Sequence, residues 1–178
     1  MVKGIDVSKW QGEIDWQRVK NSGVGFAMLR GGYGKGCLDA CFEQNYSAAK
    51  EAGIPVGVYH YSYAQSVDEA EKEAQFCISY LQGKSFEYPV AFDIEDSSQS
   101  SLSNELLTQI ALAFCDTVEK AGYYVCLYSS KSWLSAKFDM SVLSRFDVWL
   151  AQWNSEVTYS GEYGLWQYSS KGGIDSIG

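Results

Sequence analysis

A chain of 178 residues with 46% hydrophobic and 20% charged residues suits one domain with a sizeable core, and excludes a disordered chain. Its net charge of −8 argues against nucleic acid, because phosphate backbones are bound through Lys and Arg. No apolar run reaches the roughly 18 residues of a membrane span, so none is expected.

The start, Met1-Val2-Lys3-Gly4-Ile5-Asp6, lacks the apolar segment of a secretory leader. The chain is either made in the cytoplasm or has lost its leader. Aromatic residues are plentiful: six Trp, thirteen Tyr and eight Phe make 15%, more than a core of this size requires. Stacking platforms for flat apolar faces such as sugar rings, and a merely aromatic-rich core, both fit that surplus. The five cysteines, Cys37, Cys41, Cys77, Cys115 and Cys126, form no C-x-x-C pair and read as reduced, mostly buried thiols. Cys37 and Cys41 could share a helix face, but with one histidine in the chain no metal site is expected.

In chain order, Lys3–Val7 reads as a strand and Asp15 caps a short helix through Ser22. Gly25–Arg30 is the next strand. The run Gly31-Gly32-Tyr33-Gly34-Lys35-Gly36 fits neither phosphate-loop pattern and is set aside as a ligand loop. A helix from about Cys41 to Ala52 stops at Gly53, with Pro55 just beyond. Val56–Tyr61 follows as a strand carrying the lone histidine, His60, between two tyrosines. No G-x-S-x-G nucleophile motif accompanies it, so His60 is expected to be structural or to touch substrate rather than to catalyse. Ser66-Val67-Asp68-Glu69 has the pattern of a capping box and opens a helix ending near Gly83.

The next strand, Val90-Ala91-Phe92-Asp93-Ile94-Glu95-Asp96, is the most informative stretch. Alternate side chains of a strand share a face, so Val90, Phe92 and Ile94 form an apolar face and Ala91, Asp93 and Glu95 the other. Two carboxylates on one face disfavour each other's ionisation, which suits chemistry that needs one protonated and one ionised group. A solvated edge strand would explain a lone D-x-E equally well. A long helix from about Ser103 to Ala121 follows, ended by Gly122; Tyr124–Tyr128, Asp147–Ala151 and Tyr163–Tyr168 complete the strands.

Strand–helix alternation at this spacing means parallel strands with crossover helices. With no phosphate loop after the first strand, the expected fold is α/β: an irregular TIM-like β/α barrel in a single domain. In such barrels the working residues collect at the carboxyl ends of the strands. Those ends carry Asp6, Arg30, Tyr59 to Tyr61, Asp93 and Glu95, Tyr128, Gln152 and Trp153, then Gln167 and Tyr168.

Five phrases then coincide in order: Gly4-Ile5-Asp6-Val7-Ser8-Lys9-Trp10-Gln11-Gly12, Gly57-Val58-Tyr59-His60-Tyr61, Phe92-Asp93-Ile94-Glu95, Val148-Trp149-Leu150-Ala151-Gln152-Trp153 and Trp166-Gln167-Tyr168-Ser169-Ser170. Together they resemble the motifs of the glycoside hydrolase family 25 lysozymes, the Chalaropsis-type muramidases of bacteria and phage endolysins, over essentially the whole chain. The resemblance implies a peptidoglycan hydrolase that cleaves the β-1,4 bond from N-acetylmuramic acid to N-acetylglucosamine. It also implies a catalytic groove built on Asp6, Asp93 and Glu95.

Within that reading Glu95 is the general acid and Asp93 stays ionised, either attacking the anomeric carbon or steering the substrate's 2-acetamido group to attack in its place. The acetamido route with retention is favoured, although the residues leave inversion open. Asp6 would hold Asp93 or a water. Trp10, Tyr33, Tyr61, Tyr128, Gln152, Trp153 and Gln167 are the candidate substrate contacts, with core packing an almost equal explanation for each Trp. No metal or cofactor is expected. The partner is the glycan strand of bacterial peptidoglycan, reached by a monomer after release or export. Two alternatives stand beside this one: a chitinase-like enzyme on N-acetylglucosamine chains, and a wall-binding domain without turnover. In the family a further strand with an acidic residue follows the tryptophan–glutamine–tyrosine strand. Here Gly178 falls inside the turn, and the expectation is a domain over 1–178 lacking that strand, with Asp175 given no role.

Overall fold

The computed structural model describes residues 1–174, so Asp175 lies outside the described residues. Eight strands are formed among the described residues: β1 (Gly4–Val7), β2 (Phe26–Tyr33), β3 (Cys37–Leu38), β4 (Val56–Tyr61), β5 (Val90–Asp93), β6 (Val125–Ser130), β7 (Asp147–Ala151) and β8 (Leu165–Gln167). Five helices lie between them: α1 (Trp16–Asn21), α2 (Phe42–Glu51), α3 (Val67–Leu81), α4 (Asn104–Lys120) and α5 (Lys131–Ala136). The sheet runs β1-β2-β4-β5-β6-β7-β8 with every pair on that path parallel, and β3 is added antiparallel to β2. It curls into a half-barrel. The expected irregular TIM-like barrel is what these strands build, with one qualification at the seam.

Local sequence chemistry accounts for the element ends. The Asp15 carboxylate accepts from the Arg18 amide at 3.0 Å, and the Ser103 hydroxyl caps α4 through the Leu106 amide at 3.2 Å. The capping box at α3 forms by half. Ser66 Oγ accepts from the Glu69 amide at 3.2 Å, whereas the Glu69 carboxylate reaches past Ser66 to the amide of Gln65 at 2.9 Å.

The glycine run has a packing explanation. Gly31 lies in β2 under the Tyr80 ring, where an added Cβ would sit 2.4 Å from a ring carbon. Gly34, at φ +57°, turns the chain from β2 into the β3 hairpin. That hairpin holds Cys37, so Cys37 and Cys41 do not share a helix face.

The two faces of β5 part as alternation requires. Val90, Phe92 and Ile94 pack outward into the main core under the helices, with Phe92 stacked on Phe114 of α4 at 4.0 Å between ring centres. Ala91 points inward, joining Met28, Cys126, Tyr128, Trp149 and Ala151 in a second cluster that fills the barrel. β5 ends at Asp93, however, so Glu95 stands beyond the strand. His60 follows the same alternation and faces outward, fully buried, with Nδ1 2.9 Å from the Tyr80 hydroxyl. It is structural and does not line the groove.

The seam departs from a closed barrel. Among the described residues β1 pairs only with β2, and β8 only with β7. A side-chain bond closes the top of the gap instead, with Gln167 Nε2 donating to Asp6 Oδ2 at 3.1 Å. Below it lies a cavity of about 470 Å³ between the β1 and β8 edges, floored by Phe26, Met28 and Trp149.

Candidate active site

Every parallel strand sends a side chain to one cleft at the carboxyl end of the sheet. Asp6, Arg30, Tyr59 and Tyr61 come from β1, β2 and β4; Asp93, Tyr128, Trp149 and Gln167 come from β5 to β8. Ser8 and Trp10, from the single 3-10 turn after β1, complete a cavity of about 210 Å³. Parallel strands in register make this arrangement: Asp93 pairs with Tyr61 on one side and with Tyr128 on the other.

The carboxyl groups differ in surroundings. Asp93 is only 6% exposed and its Oδ1 has no hydrogen-bond partner. Burial pushes its pKa well above the usual carboxylate value, and the charges of Glu95 and Asp6 push the same way, against a smaller opposing effect of Arg30. In the free cleft, burial and the neighbouring carboxyl charges both favour the neutral form of Asp93. Glu95, half-buried, is also raised by burial, while the Ser130 amide, donating to its Oε2 at 2.6 Å, opposes the rise. Glu95 stands at the edge of the cleft rather than among its lining residues. Asp6 is raised by the protein crowded around it, with the Gln167 bond opposing. Asp6 touches Gln167 rather than Asp93 through its hydrogen bond.

Of the expected substrate contacts, Trp10 is 75% exposed on the cleft rim, and Tyr61 lines the wall with its hydroxyl donating to Asp96 Oδ2 at 2.8 Å. Tyr33 sits further out, edge-on to Tyr63 and beneath the Lys9 ammonium. Trp153 is exposed and reaches the cleft residue Gln167 through its indole N–H. Gln152 does not reach the cleft lining. Its amide nitrogen donates to the Glu156 carbonyl and Thr158 Oγ1, and its oxygen accepts from the Thr158 amide, so the side chain is spent on holding its own loop.

Gln167 is a hub. While its nitrogen holds Asp6, its Oε1 accepts from the Tyr128 hydroxyl and from Trp153 Nε1, both at 2.9 Å. Replacing Gln167 with Leu strands all three partners. The expected result is a loss of about 1–3 kcal/mol in stability, because the Tyr128 hydroxyl is buried and would be left unpaired, and a raised KM. An unmoved urea midpoint together with parent-like KM would refute the hub role.

Arg30, Tyr59, Asp96 and Trp149 carry no site role in the sequence reading. Arg30 and Tyr59 had a usable signal, their place at strand ends. Asp96 had none beyond its proximity to the D-x-E pair. Hydrogen bonds from Ser98 and Tyr61 outweigh burial and hold its carboxyl below the usual range. Arg30 Nε donates to Asp39 at 2.7 Å, leaving its Nη2 buried and without a partner beside Asp93 in the same cleft.

A parallel half-barrel with acidic and aromatic side chains gathered at its strand ends is the build of a carbohydrate-cleaving barrel. The description of "Glycosyl hydrolases family 25" matches residues 5–177, and the chain belongs to that family. The autolytic lysozyme of Clostridium acetobutylicum is 27% identical over 177 residues, covering 99% of this chain and 53% of the relative. Among solved structures, the bacterial lysozyme of Streptomyces coelicolor aligns with a TM-score of 0.81 at 28% identity, covering 99% of this chain and 87% of that one. The modular autolysin LytC of Streptococcus pneumoniae, solved with a synthetic peptidoglycan ligand, aligns at 0.86 and 27% identity, covering 98% of this chain and 44% of that one. The chain spans between about half and two-thirds of the length of the first curated relatives it matches.

Proposed function

We propose that this domain hydrolyses the β-1,4 bond between N-acetylmuramic acid and N-acetylglucosamine in bacterial peptidoglycan, acting as a monomer on the glycan strand. The observation that carries the reading is the strand-end cleft of a family 25 domain, which gathers Asp6 and Asp93 beside the exposed Trp10, with Glu95 two residues beyond the end of β5. Relatives named as lysozymes favour peptidoglycan over chitin, and favour turnover over wall binding alone.

Glu95 gives its proton to the glycosidic oxygen as the bond to the anomeric carbon breaks. Two unpartnered cleft atoms, the acceptor Asp93 Oδ1 and the donor Arg30 Nη2, are complementary to the N–H and C=O of an acetamido group, which supports its attack on that carbon. Water then opens the intermediate with retention. Mass spectrometry of digested peptidoglycan tests the reading: N-acetylmuramic acid is expected at the new reducing ends. Reducing N-acetylglucosamine ends, or equal cleavage of chitin, would overturn it.

The raised carboxyl pKa values also predict a pH profile. Burial keeps the proton on the Asp93–Glu95 pair above the ordinary carboxylate range, so activity should follow an acid-side bell whose limbs belong to the pair. These groups bind protons more tightly folded than unfolded. Their contribution to stability is therefore present at low pH and lost as pH rises through their folded values. A kcat/KM flat from about pH 4 to about pH 9 would contradict a protonated donor.

The open seam supports a further part of the proposal, a strand between β8 and β1. Among the described residues the β1 and β8 edges that border the seam cavity have no strand partner on that side, and an added parallel strand would pair with both. A variant extended by a designed strand with an acidic residue at its carboxyl end is expected to melt higher and clear walls faster. Equal melting and equal clearing would reject the seam as a strand site.

A further inference from the structure

Behind the cleft wall lies a buried polar cluster that the mechanism does not use. Glu73 of α3 is 1% exposed, and its Oε1 accepts from the Tyr63 amide at 3.0 Å. Its Oε2 lies 3.7 Å from His60 Nε2, and both atoms lack any other partner. Two buried polar atoms facing each other in this way cannot both be bare acceptors, so one of the two groups carries a proton on the side that faces the other. The Tyr80 hydroxyl also bonds Cys77; where it donates there, His60 Nδ1–H donates to the Tyr80 oxygen and Nε2 is left as the ring's acceptor.

The cluster is wired to the cleft through the turn after β4. The Ser62 amide donates to the Asp93 carbonyl at 2.8 Å, and the next amide, of Tyr63, is the one that Glu73 holds. Gln99 bonds Ser62 Oγ and the Ala64 carbonyl on one side and accepts from the Asp96 amide on the other. Asp96 in turn anchors the Tyr61 hydroxyl. A shift of this turn thus moves Tyr61 and Tyr63, whose rings meet edge to face at 5.2 Å.

We propose that Glu73 is a positioning residue for the cleft: its carboxyl group, protonated on the side that faces His60, keeps the turn after β4, and with it Tyr61, in place. The groups around Glu73 agree. Tyr80, Cys77 and Glu69 face it from α3 and Ser62 from the turn after β4, while Phe114 of α4 packs on the His60 ring. Lys35, on the β2–β3 turn, is taken up by Glu69 at 2.7 Å. Burial raises Glu73 to about 7, against the hydrogen bonds of the Tyr63 amide and Ser62, and lowers His60 to about 3, the direction that a proton on the carboxyl group requires.

The kinetic part of the test rests on the proposed hydrolysis; the thermodynamic part does not. Unfolded Glu and His titrate near 4.5 and 6.5. Between those values the folded parent carries one proton on Glu73 and the unfolded chain carries one on His60, so the pair adds no pH slope to stability. Glu73→Gln reproduces the protonated acid but takes up no proton when folded. Relative to the parent, its unfolding equilibrium constant should rise about tenfold for each pH unit lowered through that window. Parallel stability curves for parent and variant would mean an ionised Glu73 and would overturn the inference.

In kinetics, the parent's KM should rise severalfold as pH climbs through the Glu73 value, while that of Glu73→Gln stays level. The kcat limbs, which belong to Asp93 and Glu95, should persist in both. Glu73→Ala, without an acceptor for Tyr63, should raise KM at every pH. Identical KM–pH profiles in parent and Glu73→Gln would also overturn the inference. Failure of the proposed function would show differently, as a parent without turnover.

Discussion

Replacing Glu95 with Gln is expected to lower turnover by roughly 10²–10⁴, the range attributed to a positioned general acid. The carboxamide keeps the shape of the side chain and can still face the Ser130 amide through its oxygen, so the cleft should persist and bind glycan. It has no proton to give to the leaving oxygen. The loss should fall on kcat with KM little moved, because the interaction is made in the transition state. Rates of wall clearing and of soluble fragment release measure it directly. Near-parent clearing by Glu95→Gln would remove Glu95 from the mechanism.

Asp93→Asn is expected to be nearly as damaging, for a different reason. The substituted side chain keeps an acceptor oxygen but cannot become a carboxylate, so it cannot stabilise positive charge developing on an acetamido nitrogen as that group attacks. A fall of about 10²–10³ in kcat is expected, on the scale of losing one electrostatic stabiliser. Relieving a buried, charge-crowded carboxyl group should at the same time leave stability equal to the parent's or higher at neutral pH, where the parent carries that strain. Intact-mass analysis of the parent during turnover separates the two roles of Asp93. A glycosyl adduct on Asp93 would make it the nucleophile and reject the acetamido route.

Much of this site was legible because its residues sit at strand ends, and strand ends are marked by short-range signals. Gly53 with Pro55 fixed the approach to β4, and the alternation Val90, Phe92, Ile94 against Ala91, Asp93 separated core from cleft. Trp10, Tyr61, Tyr128 and Gln167 reach the cleft for that reason. Gln152 misled because it occupies a strand-end position in sequence while its amide is consumed by Thr158 and Glu156. Its loop partners lie only a few residues away, but no pattern of spacing announces such a bond. The desolvation of Asp93 was not legible either, since it is set by what packs around a group and not by its neighbours in the chain.

The sequence by itself determined the α/β alternation, the strands that carry the carboxyl groups, and the family to which the chain belongs. These follow from periodicity, capping and breaker residues, and from phrases of adjacent residues, all of them local. The tertiary structure alone decided that the sheet's seam is bridged by Gln167 and Asp6, 161 residues apart, that Arg30 faces the cleft with a free nitrogen, and that Glu73 meets His60 behind its wall. Such contacts join elements brought together only when the sheet curls and the helices cover it. Their energies depend on burial and on partners across that distance, and neither is written in any short stretch of chain.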